Sequence, residues 1–177
     1  MGAIKRLRGT PLPITSYFIG KAISVFASMV VQVLILLAIG VAFFGLNMPT
    51  EPSKWLTFTW LLLLGTASST ALGVAFSSVP KNGRGASAIV SPVVIVLQFF
   101  SGVFFVFTQL PGWMQQVAAI FPLKWLTQGM RSVFLPDTFA AQEVAQSWES
   151  GRTAIILFLW LIVGLFLAVK TFRWENK

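Results

Sequence analysis

Lys, Arg, Asp and Glu supply nearly all the ionisable chemistry this chain possesses. Thirteen Lys and Arg stand against five Asp and Glu, a formal charge of +8, and neither His nor Cys occurs. Without His the usual general base and the commonest metal ligand are gone. Without Cys there are no disulfides, thiolate metal sites or cysteine nucleophiles. The long apolar runs hold no central carboxylate, Lys or Arg, so neither a proton relay nor an intramembrane acid–base pair can be built in them. Gln32, Thr59 and Gln98 are the polar groups available there, and each suits a helix contact as well as a cargo contact. The basic loop 80–85, PKNGRG, lacks the GxxxxGK[ST] spacing and follows no strand, so it reads as a tight turn and not as a phosphate cradle. No catalytic, cofactor-binding or metal-binding residue is assigned.

The elements that carry these residues are set by lipid. Residues 22–50, 55–80, 85–123 and 153–169 carry no charged side chain, and a bilayer crossing needs about 20 largely apolar residues. Charged residues make up only 10% of the chain, against about 25% in soluble domains. The fold class expected is all-α, a polytopic membrane helix bundle of four transmembrane helices at 17–46, 55–79, 86–110 and 153–172. Basic residues precede the first run, but its length and the spans behind it differ from a signal peptide. Within span two, Gly65, Ser69 and Gly73 recur every four residues and predict a small face for close helix packing. Pro92 predicts a kink in span three.

Pro111, Gly112 and Pro122 break the run 85–123, which is too long for one crossing. Residues 111–135 are therefore expected as short external helices, amphipathic or re-entrant, on or dipping into one membrane face. In LKWLTQGMRSVF, Leu123, Leu126, Met130 and Val133 recur at helical spacing while Lys124, Gln128 and Arg131 take the other side. That pattern predicts an interfacial helix with its polar side toward water. Residues 136–151, with Asp137, Glu143 and Glu149, read as aqueous.

Four spans place both termini on one side. That side holds Lys5, Arg6, Arg8, Lys21, Lys81, Arg84, Lys170, Arg173 and Lys177 against Glu175. The other holds Lys54, Lys124, Arg131 and Arg152 against Glu51, Asp137, Glu143 and Glu149. Cytoplasmic flanks are enriched in Lys and Arg, so the expectation is a multi-pass protein of the cell inner (plasma) membrane with both termini cytoplasmic. The same placement explains the basic charge without nucleic acid. Active transport would need a separate motor at IKRLRG, the 80–85 loop or the basic C-terminus, since no Walker lysine motif is present.

Specific residues narrow this further. The blocks are residues 2–13 (GAIKRLRGTPLP) with Gly20 and Lys21, and residues 82–86 through Ser91 and Pro92. Residues 100–105 (FSGVFF), 110–113 (LPGW), 122–125 (PLKW) and 129–131 (GMR) then follow in order. The order SGxFF, LPxW, PLxW, GxR resembles the membrane permease subunit of ABC-2 type exporters, the class that includes drug-resistance permeases. The resemblance covers nearly the whole chain, which would form the C-terminal four-span part of such a permease, apparently without the first two spans.

The resemblance implies a cytoplasmic coupling segment at 1–16, in which Ile4 and Leu7 anchor an ATPase and Lys5, Arg6 and Arg8 complement its charge. It also implies an external gate built from Ser101, Gly102, Pro111, Gly112, Trp113 and Pro122. ATP and Mg would sit on partner ATPase subunits and not on this chain. A second permease chain, identical or different, would complete the pathway within membrane lipid. The cargo implied is a hydrophobic or amphipathic small molecule or a lipid, moved outward. The alternative is a non-transporting structural or regulatory subunit that pairs with a longer permease.

Overall fold

Apolar side chains in lipid favour helices, because only a helix satisfies every backbone N–H and C=O within one segment. A computed structural model describes residues 14–76 and 83–171, and among these every regular element is helical. The chain divides after Leu46 into two units.

The first unit contributes helix α1, Ile14–Phe44. Its stretch Ala22–Phe44 is 23 residues of high hydropathy, about 35 Å at 1.5 Å per residue, enough to cross a membrane. Ile23, Leu34, Leu36 and Phe43 lie exposed along it, as a lipid-facing helix requires. Gly45 ends it with a φ of 62°, and the Leu46 N–H turns back to donate to Gly40 O at 3.0 Å. Expected span one, 17–46, overlaps this helix.

The second unit begins with α2, Pro52–Phe76, where Pro occupies the first helical position that suits its fixed φ. Helix α3 is Gly83–Phe100, α4 is Gly112–Ile120, α5 is Pro122–Phe134 and α6 is Ser150–Thr171. Short 3₁₀ turns lie at Phe107–Gln109 and Asp137–Gln142. Three described helices are long and apolar enough to cross a membrane, in Ala22–Phe44, Pro52–Phe76 and Ser150–Lys170. The result is an all-α membrane helix bundle.

Span three differs from the expectation of 86–110. Its helix stops at Phe100, and its described apolar part is Val90–Phe100. The Ser101 hydroxyl and N–H both return to Leu97 O, at 2.6 and 3.0 Å, and Gly102 takes a φ of 79°. A left-handed residue ends a right-handed helix, so Val103–Val106 leave as an exposed irregular strip. Pro92 lies inside α3.

Helices α2 and α6 form the main pair, and α5 packs against both. Small residues let the first pair approach closely. A Cβ added at Gly164 of α6 would lie 2.9 Å from Ala71 Cβ and 3.0 Å from the Leu72 backbone nitrogen. On α2 the buried stripe is Phe58, Leu61, Gly65, Ser68, Ala71 and Ala75. Gly65 faces the Leu126 side chain of α5, whereas Ser69 and Gly73 are exposed and a Cβ at Gly73 would meet nothing within 4 Å. Within this chain the close face thus follows a three-and-four spacing rather than the strict fourfold one read from Gly65, Ser69 and Gly73.

Helix α5 runs antiparallel to α2, with Phe58 edge-on to Phe134 at 5.6 Å and Gly129 against Leu61. Its other end reaches the middle of α6. There the Trp160 indole donates to Ile120 O at 2.7 Å and its ring stacks on Phe121, centroids 6.2 Å apart. Trp160 lies ten residues beyond Ser150, about 15 Å along the helix axis. The pair α4–α5 is therefore a helical hairpin whose corner lies against the middle of α6. At that corner Trp160 satisfies a carbonyl that a helix end leaves unpaired.

Candidate functional site

The stripe of α5 turned inward is Lys124, Trp125, Gln128, Gly129, Ser132 and Val133. This reverses the expectation that Lys124 and Gln128 face water. Of the side expected to be embedded, Leu123, Leu126 and Met130 are only half-buried while Val133 is buried, and Arg131 of the polar side is half-buried. The physical reason is the solvent. A helix dipping into lipid can leave aliphatic side chains at its edge without penalty, but its charged and amide groups need protein partners. The partners come from the segment leading into α6 and from its first turn.

Lys124 is 4% exposed. Its ammonium donates to the Gln128 side-chain oxygen, lies 3.5 Å above the Trp125 ring centre and 5.2 Å from that of Phe107. The nearest carboxylate oxygen, on Glu149, is 4.0 Å away. Glu149 is held more closely by Arg152, at 2.9 Å. Burial pushes the Lys124 pKa down from 10.5 to about 8; Glu149 and then Glu143 oppose that shift, while Arg152 and Arg131 add to it. Gln128 spends its amide on the Ser147 and Trp148 carbonyls, both at 3.3 Å. Thr153, in the first turn of α6, is fully buried and its hydroxyl has no partner.

One turn along α5, Arg131 donates through Nε to Glu143 Oε1 at 2.8 Å and through Nη1 to Gly102 O at 3.4 Å. Glu143 is 8% exposed. Arg131 thus ties α5 both to the break after α3 and to the loop before α6. Beside this pair lies a pocket of about 320 Å³, walled by Phe104, Phe105, Phe107, Phe139 and Trp148. Its size falls at the lower end of small-molecule sites, and one polar pair within aromatic walls is their usual chemistry. Lys54 lies 3.4 Å from Asp137 and donates to Leu135 O at 3.3 Å.

The residues expected in an external gate divide between two places. Ser101 and Gly102 lie under Arg131, with Ser101 fully buried. Pro111 caps α4, Gly112 opens it and Trp113 is 60% exposed, its ring edge-on to Phe100 at 6.5 Å. Pro122 starts α5 at the hairpin corner. Ile4, Lys5, Arg6, Leu7 and Arg8 lie outside the described residues. Gln32 is exposed, Gln98 is half-buried, and the Thr59 hydroxyl donates to Trp55 O of its own helix at 2.9 Å.

The sequence reading missed Lys124, Gln128, Arg131, Glu143 and Glu149 as one connected group. A signal was present. Helix α5 carries two cations and an amide but no acidic residue to pair with them, while three acidic residues follow within 137–149.

These features define a helical membrane protein: long apolar helices with a helical hairpin packed against them and an aromatic pocket beside it. Over residues 2–170 the chain matches the family described as ABC-2 family transporter protein, and it belongs to that family. No curated protein and no solved structure matches it. In this family the membrane chain is generally non-catalytic and associates with an ABC ATPase and a second permease.

Proposed function

We propose that the chain is the permease subunit of an ATP-driven exporter, moving a hydrophobic or amphipathic small molecule or a lipid outward with hydrolysis on a separate ATPase. The observation that carries this reading is the hairpin corner bonded to Trp160, about 15 Å down α6. A plug held this way separates the interior of a bundle from the side on which both hairpin helices begin and end. The aromatic pocket beside it suits apolar cargo. The charge asymmetry between loops supports cytoplasmic termini and an outward-facing hairpin. Hydrolysis then drives α4–α5 away from α6 and Ser101–Gly102 act as the flexible base of the gate. Ile4 and Leu7 make the apolar contact with the ATPase, with Lys5, Arg6 and Arg8 around it.

The test uses the complete complex in sealed vesicles. Phe100→Cys with Trp113→Cys, crosslinked by a short bifunctional reagent, pins α4 to α3 in a chain that has no other cysteine. ATP-driven efflux of a fluorescent amphipath should stop while the ATPase stays bound. Efflux that persists under the crosslink rejects the gate, and efflux without nucleotide rejects the power source. Ile4→Ser with Leu7→Ser preserves the basic charge and should release the ATPase in a pulldown; undiminished capture would remove the coupling assignment.

A further inference from the structure

We infer that Lys124 is a positioning residue that keeps the closed hairpin metastable, a buried cation placed so that opening relieves it, while Gln128 is the catch that holds it. The inference rests on the gate reading above and adds to it which side chain favours which state.

The geometry is unbalanced. The Lys124 ammonium can donate three hydrogen bonds, yet its hydrogen-bond partner is one neutral amide oxygen, that of Gln128. Two aromatic faces add attraction, from Trp125 and Phe107. The carboxylate that would compensate the charge, Glu149, stands with Oε2 at 4.0 Å, and its other oxygen is bonded by Arg152 at 2.9 Å. The second carboxylate nearby, Glu143, is taken by Arg131 at 2.8 Å. Helix α4 and the turn Phe107–Gln109 bring no charged group, and the one cation of α2, Lys54, is held by Asp137. A cation buried with incomplete compensation disfavours the state that buries it. Swinging α5 off α6 returns Lys124 to water.

Gln128 acts in the opposite sense. Its amide bonds the Ser147 and Trp148 carbonyls and, at 3.5 Å, Glu149 Oε2 just ahead of α6, and opening leaves those bonds to be remade by water. One face of one helix therefore carries both an opposing charge and a neutral clasp, four residues apart. The buried Thr153 hydroxyl without a partner lies on the same first turn of α6 and offers a reporter, because Thr153→Cys removes no hydrogen bond.

The direction of the pH response follows from the depressed Lys124 pKa of about 8. The closed state binds fewer protons than the open one between about pH 8 and the solvated value of 10.5. Raising the outside pH through that window therefore favours closure. The experiment measures labelling of Thr153→Cys by an impermeant maleimide from outside, in the full complex with its ATPase. Each value is taken relative to exposed Ala141→Cys at the same pH, which cancels the rise of thiol reactivity.

During ATP turnover the ratio should fall by about tenfold between pH 7 and pH 9.5 with Lys124 present. Lys124→Met should be low and flat with pH, Lys124→Arg high and flat, and Gln128→Leu high at pH 7. Where Thr153→Cys lowers the amount of complex, Val133→Cys, at 1% exposure, carries the same measurement. A merely structural lysine would raise labelling in Lys124→Met, and that outcome overturns the inference. Labelling that responds to turnover but not to pH or to Lys124→Met overturns it while leaving the gate standing. Labelling that turnover does not change overturns both.

Discussion

Gly129→Ala tests whether α5 is wedged against α2 as described. The added methyl would lie 2.6 Å from Leu61 Cδ2, 2.9 Å from Cδ1 and 3.3 Å from Cγ. Leu61 is fully buried, and its whole isobutyl group stands in the way, so turning one methyl aside gives no relief. Overpacking of this kind costs about 1–3 kcal/mol, against about 1 kcal/mol gained from replacing Gly by Ala in a helix. The net expectation is a loss of about 0–2 kcal/mol. Gly65→Ala meets the Leu126 side chain, which is half-buried and can swing at its tip. That variant should keep most of the propensity gain and be neutral or mildly stabilising. The decisive version is the pair with Leu61→Ala. That change alone should cost about 2–5 kcal/mol, but it empties the space, so adding Gly129→Ala to it should stabilise by about 1 kcal/mol instead of destabilising. Thermal unfolding of the purified complex in lipid nanodiscs, followed by Trp fluorescence, reads all four variants. An effect of Gly129→Ala that keeps its sign and size in the Leu61→Ala background would refute the contact.

Three further outcomes follow from single features. Trp160→Phe keeps an aromatic ring beside Phe121 but leaves Ile120 O without its donor, so it should lower stability by about 1–3 kcal/mol and do so more than Phe121→Leu. Gly102→Ala forces a side chain into a φ of 79° and sets its Cβ 3.2 Å from Phe107 Cβ and 3.3 Å from Arg131 Nη1. It should cost about 1–3 kcal/mol, more than Gly45→Ala, whose φ is 62° but whose Cβ meets nothing within 4 Å; equal melting shifts would show that the Arg131 contact contributes nothing. The depressed Lys124 pKa means the folded chain binds fewer protons than the unfolded one between about pH 8 and 10.5. Stability should therefore rise across that window, by at most about 3 kcal/mol, relative to a Lys124→Met variant melted under the same conditions.

The membrane class, the helices and the breaks between them were legible in the sequence because each rests on local chemistry. Uncharged runs of spanning length have one solution in lipid, and Pro111, Gly112 and Pro122 interrupt a helix wherever it packs. Even the misplaced end of span three has a local cause, since Ser101 and Gly102 are where α3 stops. What the pattern of α5 could not state is which of its faces meets protein. Periodicity separates Leu123, Leu126, Met130 and Val133 from Lys124, Gln128 and Arg131, but the assignment of inside and outside depends on the surrounding solvent. In water the apolar side turns inward; beside hydrocarbon Lys124 and Gln128 are buried together with Val133, while Leu123, Leu126 and Met130 stay half-buried. Glu149 beside them, and Glu143 beside Arg131, lie far along the chain and are brought back by the loop before α6. Likewise, Gly65, Ser69 and Gly73 are equivalent by spacing, and only the position of Leu126 distinguishes Gly65 from the other two. Composition and periodicity are properties of one segment, whereas burial is a property of what stands opposite it, and that is set only when α2, α5 and α6 come together.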